Sequence, residues 1–155
     1  MTRVALLYVV AACLAGATPA CGKDEQVATP QVAGTLALDI RDTLDVVVKG
    51  EGPDIEVTLT PSKGHGVAAD GATLTGAGRI EAFPEAGGEL MTARLDAAAV
   101  AGGPCKDQPV SLALSLYRRE KNAHVGGSLT AYCGAGTFQG VPARLLRLSG
   151  DLVAR

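Results

Sequence analysis

The residues of this chain with the most chemistry in them are two histidines and four cysteines. His65 lies between Gly64 and Gly66, with Ser62 and Asp70 close in sequence. A hydrolytic triad needs a base that orients and deprotonates a nucleophile. No nucleophile-elbow motif accompanies His65, so it reads as an exposed loop histidine. His124 stands near Ser128 at a strand start and reads the same way. Asp39, Asp42 and Asp45 recur every third residue. On alternating strands they would not share a face, and the glycine and terminal glutamate of a calcium loop are missing. They read as turn and solvent-face acids. Gly76-Ala77-Gly78 and Gly134-Ala135-Gly136 lack a strand–helix setting with a third glycine, so neither is a phosphate cradle. The sequence offers no catalytic residue, no metal ligand set and no cofactor site, and it does not read as an enzyme.

The cysteines are Cys13, Cys21, Cys105 and Cys133. Cys105 and Cys133 are too far apart for a zinc signature, and two scattered histidines do not complete one. A redox pair would usually be Cys-x-x-Cys, which is absent. Cys105 precedes one expected strand and Cys133 ends the next, so a disulfide between them staples a hairpin. Closing a loop of that size is worth roughly 3–4 kcal/mol in the chain-entropy model. Such a bond persists in an oxidising compartment.

The first residues lead to the same compartment. Arg3 is followed by an apolar run from Val4 to Ala17, then by small residues up to Cys21 and the polar string Gly22-Lys23-Asp24-Glu25-Gln26. An apolar run of about 14 residues is short for a permanent membrane span and fits a cleaved export signal. Met1 to about residue 25 resembles a bacterial lipoprotein signal peptide. The resemblance implies a cysteine that receives a diacylglyceryl group and becomes the new N-terminus. Val10-Ala11-Ala12-Cys13 fits the small-residue pattern better, but leaves only about nine residues after Arg3. Thr18-Pro19-Ala20-Cys21 departs from the pattern, yet sits where apolar sequence turns polar. Parity favours Cys21: Cys13 then leaves with the signal, and Cys105 and Cys133 pair with no thiol left over. Cys13 is the alternative lipidation site, and ordinary cleavage to a secreted protein is a third reading. Because Gly22 rather than Asp follows Cys21, the resemblance implies sorting to the outer membrane.

The remainder of the chain reads as one domain. The chain has 155 residues, 47% of them hydrophobic and 19% charged, enough to bury a core. The expected division is 1–20 signal peptide, 21–34 lipidated cysteine and flexible linker, and 35–155 folded domain. Apolar residues alternate with polar ones in Leu36/Leu38/Ile40, Leu44/Val46/Val48, Ile55/Val57/Leu59, Met91/Ala93/Leu95, Val110 to Leu116, Val125 to Cys133, and Leu146/Leu148/Leu152. Period two with one polar face means half-buried antiparallel strands. Gly76 and Gly78 lie inside a strand, which suggests a bulge or close backbone packing. The alanine run Ala97–Ala99 reads as a short helical turn. Cys133 shares the inward parity of its strand and is expected in the core. The fold class is all-β: a single antiparallel β-sandwich of about eight strands, Ig-like or related, with a small β-barrel as the alternative.

Partners are bounded mainly by exclusion. Net charge is -2, which gives no global pull toward nucleic acid. The stretch 22–107 carries a net charge of -7 and 108–155 carries +4, by count of its Lys, Arg, Asp and Glu. These parts read as neutralising one another across a single fold, with a basic face toward an anionic envelope surface as the sharper alternative. Arg118, Arg119 and Lys121, with Glu120, read as a solvated strand end. There is no Trp, and outside the leader only Phe83, Tyr117, Tyr132 and Phe138 are aromatic, which argues against sugar or single-strand stacking platforms. The leading expectation is a lipid-anchored envelope protein with a structural or protein-interaction domain and an envelope protein as partner. A carrier that encloses a small apolar ligand between β-layers comes second, and a hydrolase last.

Overall fold

The structure is a computed structural model, and it describes residues 29–39, 41–119 and 122–155. Cys13, Cys21, Ile40, Glu120 and Lys121 lie outside them. Nine strands run in chain order: β1 Gln31–Leu38, β2 Thr43–Lys49, β3 Asp54–Pro61, β4 Leu74–Phe83, β5 Gly88–Ala97, β6 Val110–Arg119, β7 His124–Cys133, β8 Arg144–Asp151 and β9 Val153–Ala154. All pairings between them are antiparallel, and from β2 to β8 each strand pairs with the next in sequence. β8 then pairs with β1 through Leu36–Gly150 and Leu38–Leu148, and β1 pairs with β2. The sheet therefore closes on itself as an eight-stranded barrel. β9 continues the register of β8 against Val32 and Ala33, after Leu152 turns its amide to Ala123.

All-β antiparallel architecture was legible, but the sheet is the alternative barrel and not the sandwich. A sandwich leaves β1 and β8 as edges of separate layers, whereas here they are bonded to each other. β1 also starts at Gln31, four residues before the expected domain boundary, because Gln31–Ala33 pairs with Val47–Lys49. The alanine run forms no helical turn: Ala97 completes β5 as a buried inward residue opposite Val110. The helical piece among the described residues is the 3-10 turn Pro84–Ala86.

Eight strands enclose a space just wide enough for side chains to fill. Leu44, Leu59, Met91, Leu112 and Leu116 are among those that fill it, each 1% exposed or less. The residual hole, bounded by Leu38, Leu59, Val67, Leu112 and Leu146, measures about 10 Å³. That is at the lower limit for one water, and its lining is apolar, so the interior is dry. The outward rows are polar, with cross-strand pairs such as Thr58–Thr75 at 3.2 Å and Thr35–Asp45 at 2.5 Å. An apolar lumen inside a polar wall inverts the polarity of a membrane-spanning barrel.

The glycines inside strands permit close coiling of this small barrel, as their positions suggested. A Cβ on Gly76 would lie 2.1 Å from the Arg94 carbonyl oxygen, and one on Gly127 would lie 1.9 Å from that of Ser115. The neighbouring Gly126 faces outward, its nearest contact 3.9 Å away. Gly127→Ala is expected to destabilise the barrel by about 1–3 kcal/mol through overpacking. Gly126→Ala should stay within about 0.5 kcal/mol of the parent. Urea midpoints measured in parallel check the contrast, and equal shifts would contradict the inward approach at Gly127.

Candidate functional site

The two ends of the barrel differ. One end gathers the β1–β2 turn and the loops 62–73, 98–109 and 134–143. Val67 and Ala68 of the first loop are buried in the core and plug the lumen. The second loop is tied down by the disulfide Cys105–Cys133, with Cα atoms 5.2 Å apart. Cys105 is buried, but Cys133 is exposed. Its inward parity brings it to the barrel rim, where the loop and not the core receives it.

His65 is built into this plug. It has a left-handed backbone (φ 50°), and its carbonyl accepts from Arg144 Nη1 at 2.9 Å. Its Nε2 is buried 2.9 Å from Asp42 Oδ2, and Lys63 Nζ lies 3.7 Å from the other oxygen. The nitrogen–oxygen separation is short, but the line-up does not complete a hydrogen bond, so the contact is electrostatic. The expectation of an exposed loop histidine is thus corrected: its side chain is 16% exposed. Ser62 is not its partner, since Ser62 Oγ accepts from the Thr43 amide at 3.1 Å. Asp70 instead accepts from the Gly64 amide at 2.7 Å. These side chains brace the loop. His124 faces solvent beside Asp151, Nδ1 to Oδ1 3.0 Å, with no hydrogen bond to Ser128 among the described residues. Asp45 bonds Thr35 while Asp42 serves His65, so the acidic series is dispersed. Among the described residues no three His, Cys, Asp or Glu side chains converge as metal ligands.

A network on the outer wall has no counterpart in the sequence reading. Asp96 and Ser111 are register partners on β5 and β6. Ser111 is fully buried although its parity is outward, because the 134–138 turn lies over it. Its Oγ is 2.6 Å from Asp96 Oδ1 and 2.7 Å from the Gly134 carbonyl oxygen, and accepts from the Thr137 amide at 3.0 Å. A hydroxyl has one proton, so it donates to either oxygen in turn. The Gly136 amide also donates to Asp96 at 3.1 Å. Phe138 packs its ring under the Arg94 guanidinium, 4.9 Å from centroid. Gly134-Ala135-Gly136 is therefore a turn that wraps a carboxylate of its own chain.

The opposite end is open. Pro30, Gln31, Val32, Val48, Gly50, Ile80, Met91 and the C-terminal Ala154 and Arg155 surround a concavity of about 380 Å³. That volume lies within the range of small-ligand sites. Glu89 and Arg118 line it as register partners. Both carry the inward parity, two residues beyond Met91 and Leu116. Arg118 donates from Nε to Glu89 Oε1 at 2.8 Å and from Nη2 to the same oxygen, with both side chains 26% exposed. The turn that delivers Glu89 is held by Tyr117, whose hydroxyl donates to the Ala86 carbonyl at 3.0 Å. Gly87 takes the left-handed conformation that ends this turn (φ 63°). A larger depression, about 580 Å³, lies on the outer wall over Ala77, Thr92 and Ala113. It is a dip between outward side chains on the barrel wall, away from either end.

Comparison with family models, with curated proteins and with solved structures finds no match to this chain.

The hydroxyl of Ser111, and then the Gly136 amide, hold Asp96 below the usual carboxylate value against a small desolvation effect. A depressed folded-state value stabilises above the ordinary carboxylate range and is lost as pH falls through the depressed value. Asp96→Asn should therefore lower the melting temperature at neutral pH. The parent and variant should converge as pH falls below the ordinary carboxylate range and through the depressed value. Thermal melts from neutral to acid pH check this, and a gap that persists undiminished at low pH would contradict it.

Proposed function

We propose that this chain is an exported, lipid-anchored envelope protein whose barrel binds a small ligand at its open end. The observation that carries this reading is the contrast between the ends: one plugged, stapled and filled, the other a concavity bordered by half-buried Val32 and Ile80 and a few polar groups. The disulfide supports export, since such bonds persist in oxidising compartments. The leader supports lipid on Cys21, with Cys13 as alternative, and outer-membrane sorting, with secretion as the alternative outcome.

Anchor and mouth belong to the same end. Pro30 accepts from the Gly50 amide at 2.9 Å, and the Arg155 amide donates to Gln31 at 2.9 Å. Lipid on Cys21 leaves nine residues, Gly22 to Pro30, before the first strand. In this reading the first strand begins beside the concavity, and a lipid on Cys21 would hold that end toward the membrane surface. An envelope protein partner is a second reading, favoured by Val141. It is 92% exposed on the 134–143 loop, at the end away from the tether. Because β1 to β8 are each paired on both sides, a partner would meet loops rather than a free sheet edge.

Cys21→Ser is expected to move the exported chain from the membrane fraction to the periplasmic fraction. That released chain should bind the neutral dye N-phenyl-1-naphthylamine saturably, with enhanced fluorescence. Ile80→Trp, which fills the mouth, should weaken the binding at least about tenfold, 1.4 kcal/mol. Its melting temperature should change little. Non-saturable dye binding, or binding indifferent to Ile80→Trp, would overturn the ligand reading.

A further inference from the structure

The loop between β5 and β6, residues 98–109, is held unlike its neighbours at the plugged end. Among the described residues, 98–108 hydrogen-bond only to one another. The Gly102 amide donates to Asp107 Oδ1 at 3.0 Å, and the amides of Gly103, Lys106 and Gln108 donate to the carbonyls of Val100, Gly103 and Cys105. Cys105 is the one buried residue of the loop. Lys106 and Asp107 have left-handed backbone (φ 50° and 64°), a conformation that residues other than glycine keep only where their surroundings hold them. The loop lies backbone to backbone on the plug loop 62–73: a Cβ on Gly103 would lie 2.4 Å from the Gly66 carbonyl oxygen. The plug loop has ties of its own. Ser62 accepts from the Thr43 amide, the His65 carbonyl accepts from Arg144, and Val67 and Ala68 are buried. Apart from its two strand ends, the 98–109 loop depends on the Cys105–Cys133 bond.

We propose that this disulfide is a thiol–disulfide exchange site for a dithiol, and that exchange releases the 98–109 loop while plug and barrel stay folded. Cys133 is exposed and Cys105 is buried, so an incoming thiolate reaches the Cys133 sulfur. Attack there forms a mixed disulfide between Cys133 and the dithiol and breaks the Cys105–Cys133 bond. The electron pair of the broken bond leaves on Cys105, which takes up a proton. The second thiolate of the dithiol then attacks its partner sulfur in the mixed disulfide. Cys133 leaves as a thiolate and is protonated in turn. The dithiol ends oxidised to its own disulfide, and two electrons and two protons have passed to the cysteine pair. An oxidised dithiol closes the bond again by the reverse steps. Once the bond is open, the loop keeps only its internal hydrogen bonds, and a segment with so little buried surface opens locally. Its release uncovers Gly66. The open end of the barrel takes no part.

The test treats the exported Cys21→Ser chain, its disulfide formed, with dithiothreitol at neutral pH and follows amide hydrogen exchange before and after. The amides of Gly102, Gly103, Lys106 and Gln108 are expected to exchange at least about tenfold faster once the bond is reduced. The amides of Gly71 in the plug loop and Leu114 in β6 should stay within about twofold of their oxidised rates. In a second arm, brief exposure to the monothiol 2-mercaptoethanol is quenched with acid and the adduct is mapped by peptide mass. The adduct is expected on Cys133, with a free thiol on Cys105. A bond that dithiothreitol leaves intact in the folded protein would overturn the proposal, and so would a reduced loop that exchanges no faster. Equal acceleration at Gly71 and Leu114 would overturn it too, by making the bond a staple of the whole barrel. An adduct found on Cys105 would overturn the assignment of Cys133 as the sulfur attacked.

Discussion

The pairing of β1 with both β2 and β8 is the constraint on which the molecule depends. Once the first and last long strands share hydrogen bonds, strand number fixes the width of the lumen. Inward residues must then fill it, and outward residues must face water. Leu, Val and Met serve the first demand, Thr, Ser and charged side chains the second. The close approach of Gly76 and Gly127 to neighbouring backbone comes from coiling a sheet this tightly. Closure also removes the long free edges that an open sheet would have to protect.

Closure leaves the ends as the places where function can be built. At one end, Val67, Ala68, the Cys105–Cys133 bond and the His65–Asp42 contact make a stopper. Constraining a loop of 28 residues adds roughly 3–4 kcal/mol in the chain-entropy model. At the other end the inward rows change from Met91 and Leu116 to Glu89 and Arg118. Apolar packing gives way to a paired charge, and the lumen opens. The pair is tolerable there because each ion remains partly solvated and compensates the other.

Strand positions were legible because alternation survives in Leu44/Val46/Val48 and Val110 to Leu116. Sandwich and barrel were not separable, because a half-buried strand has the same period in both. Closure is a relation between Leu36 and Gly150, far apart in sequence, and no local pattern records it. The disulfide was legible from placement and parity. The burial of His65 was not, because it depends on Asp42 and Arg144 from other parts of the chain. Glu89 and Arg118 do leave a signal: both continue the inward parity of their strands. That signal is ambiguous, because charged residues at strand ends usually face water. Ser111 leaves none, since its cover is a turn more than twenty residues away.

Nuclear Overhauser effects between β1 and β8 test closure most directly. A closed barrel requires backbone proton contacts for the pairs Leu36–Gly150, Ala37–Ser149 and Leu38–Leu148. It also requires contacts from Leu36 and Ala37 to Leu44 and Thr43 of β2. Finding both sets on one strand is the expected result. A β1 that contacts β2 but shows no contact to β8, with fast-exchanging amides along its free side, would contradict the barrel and the open end built on it.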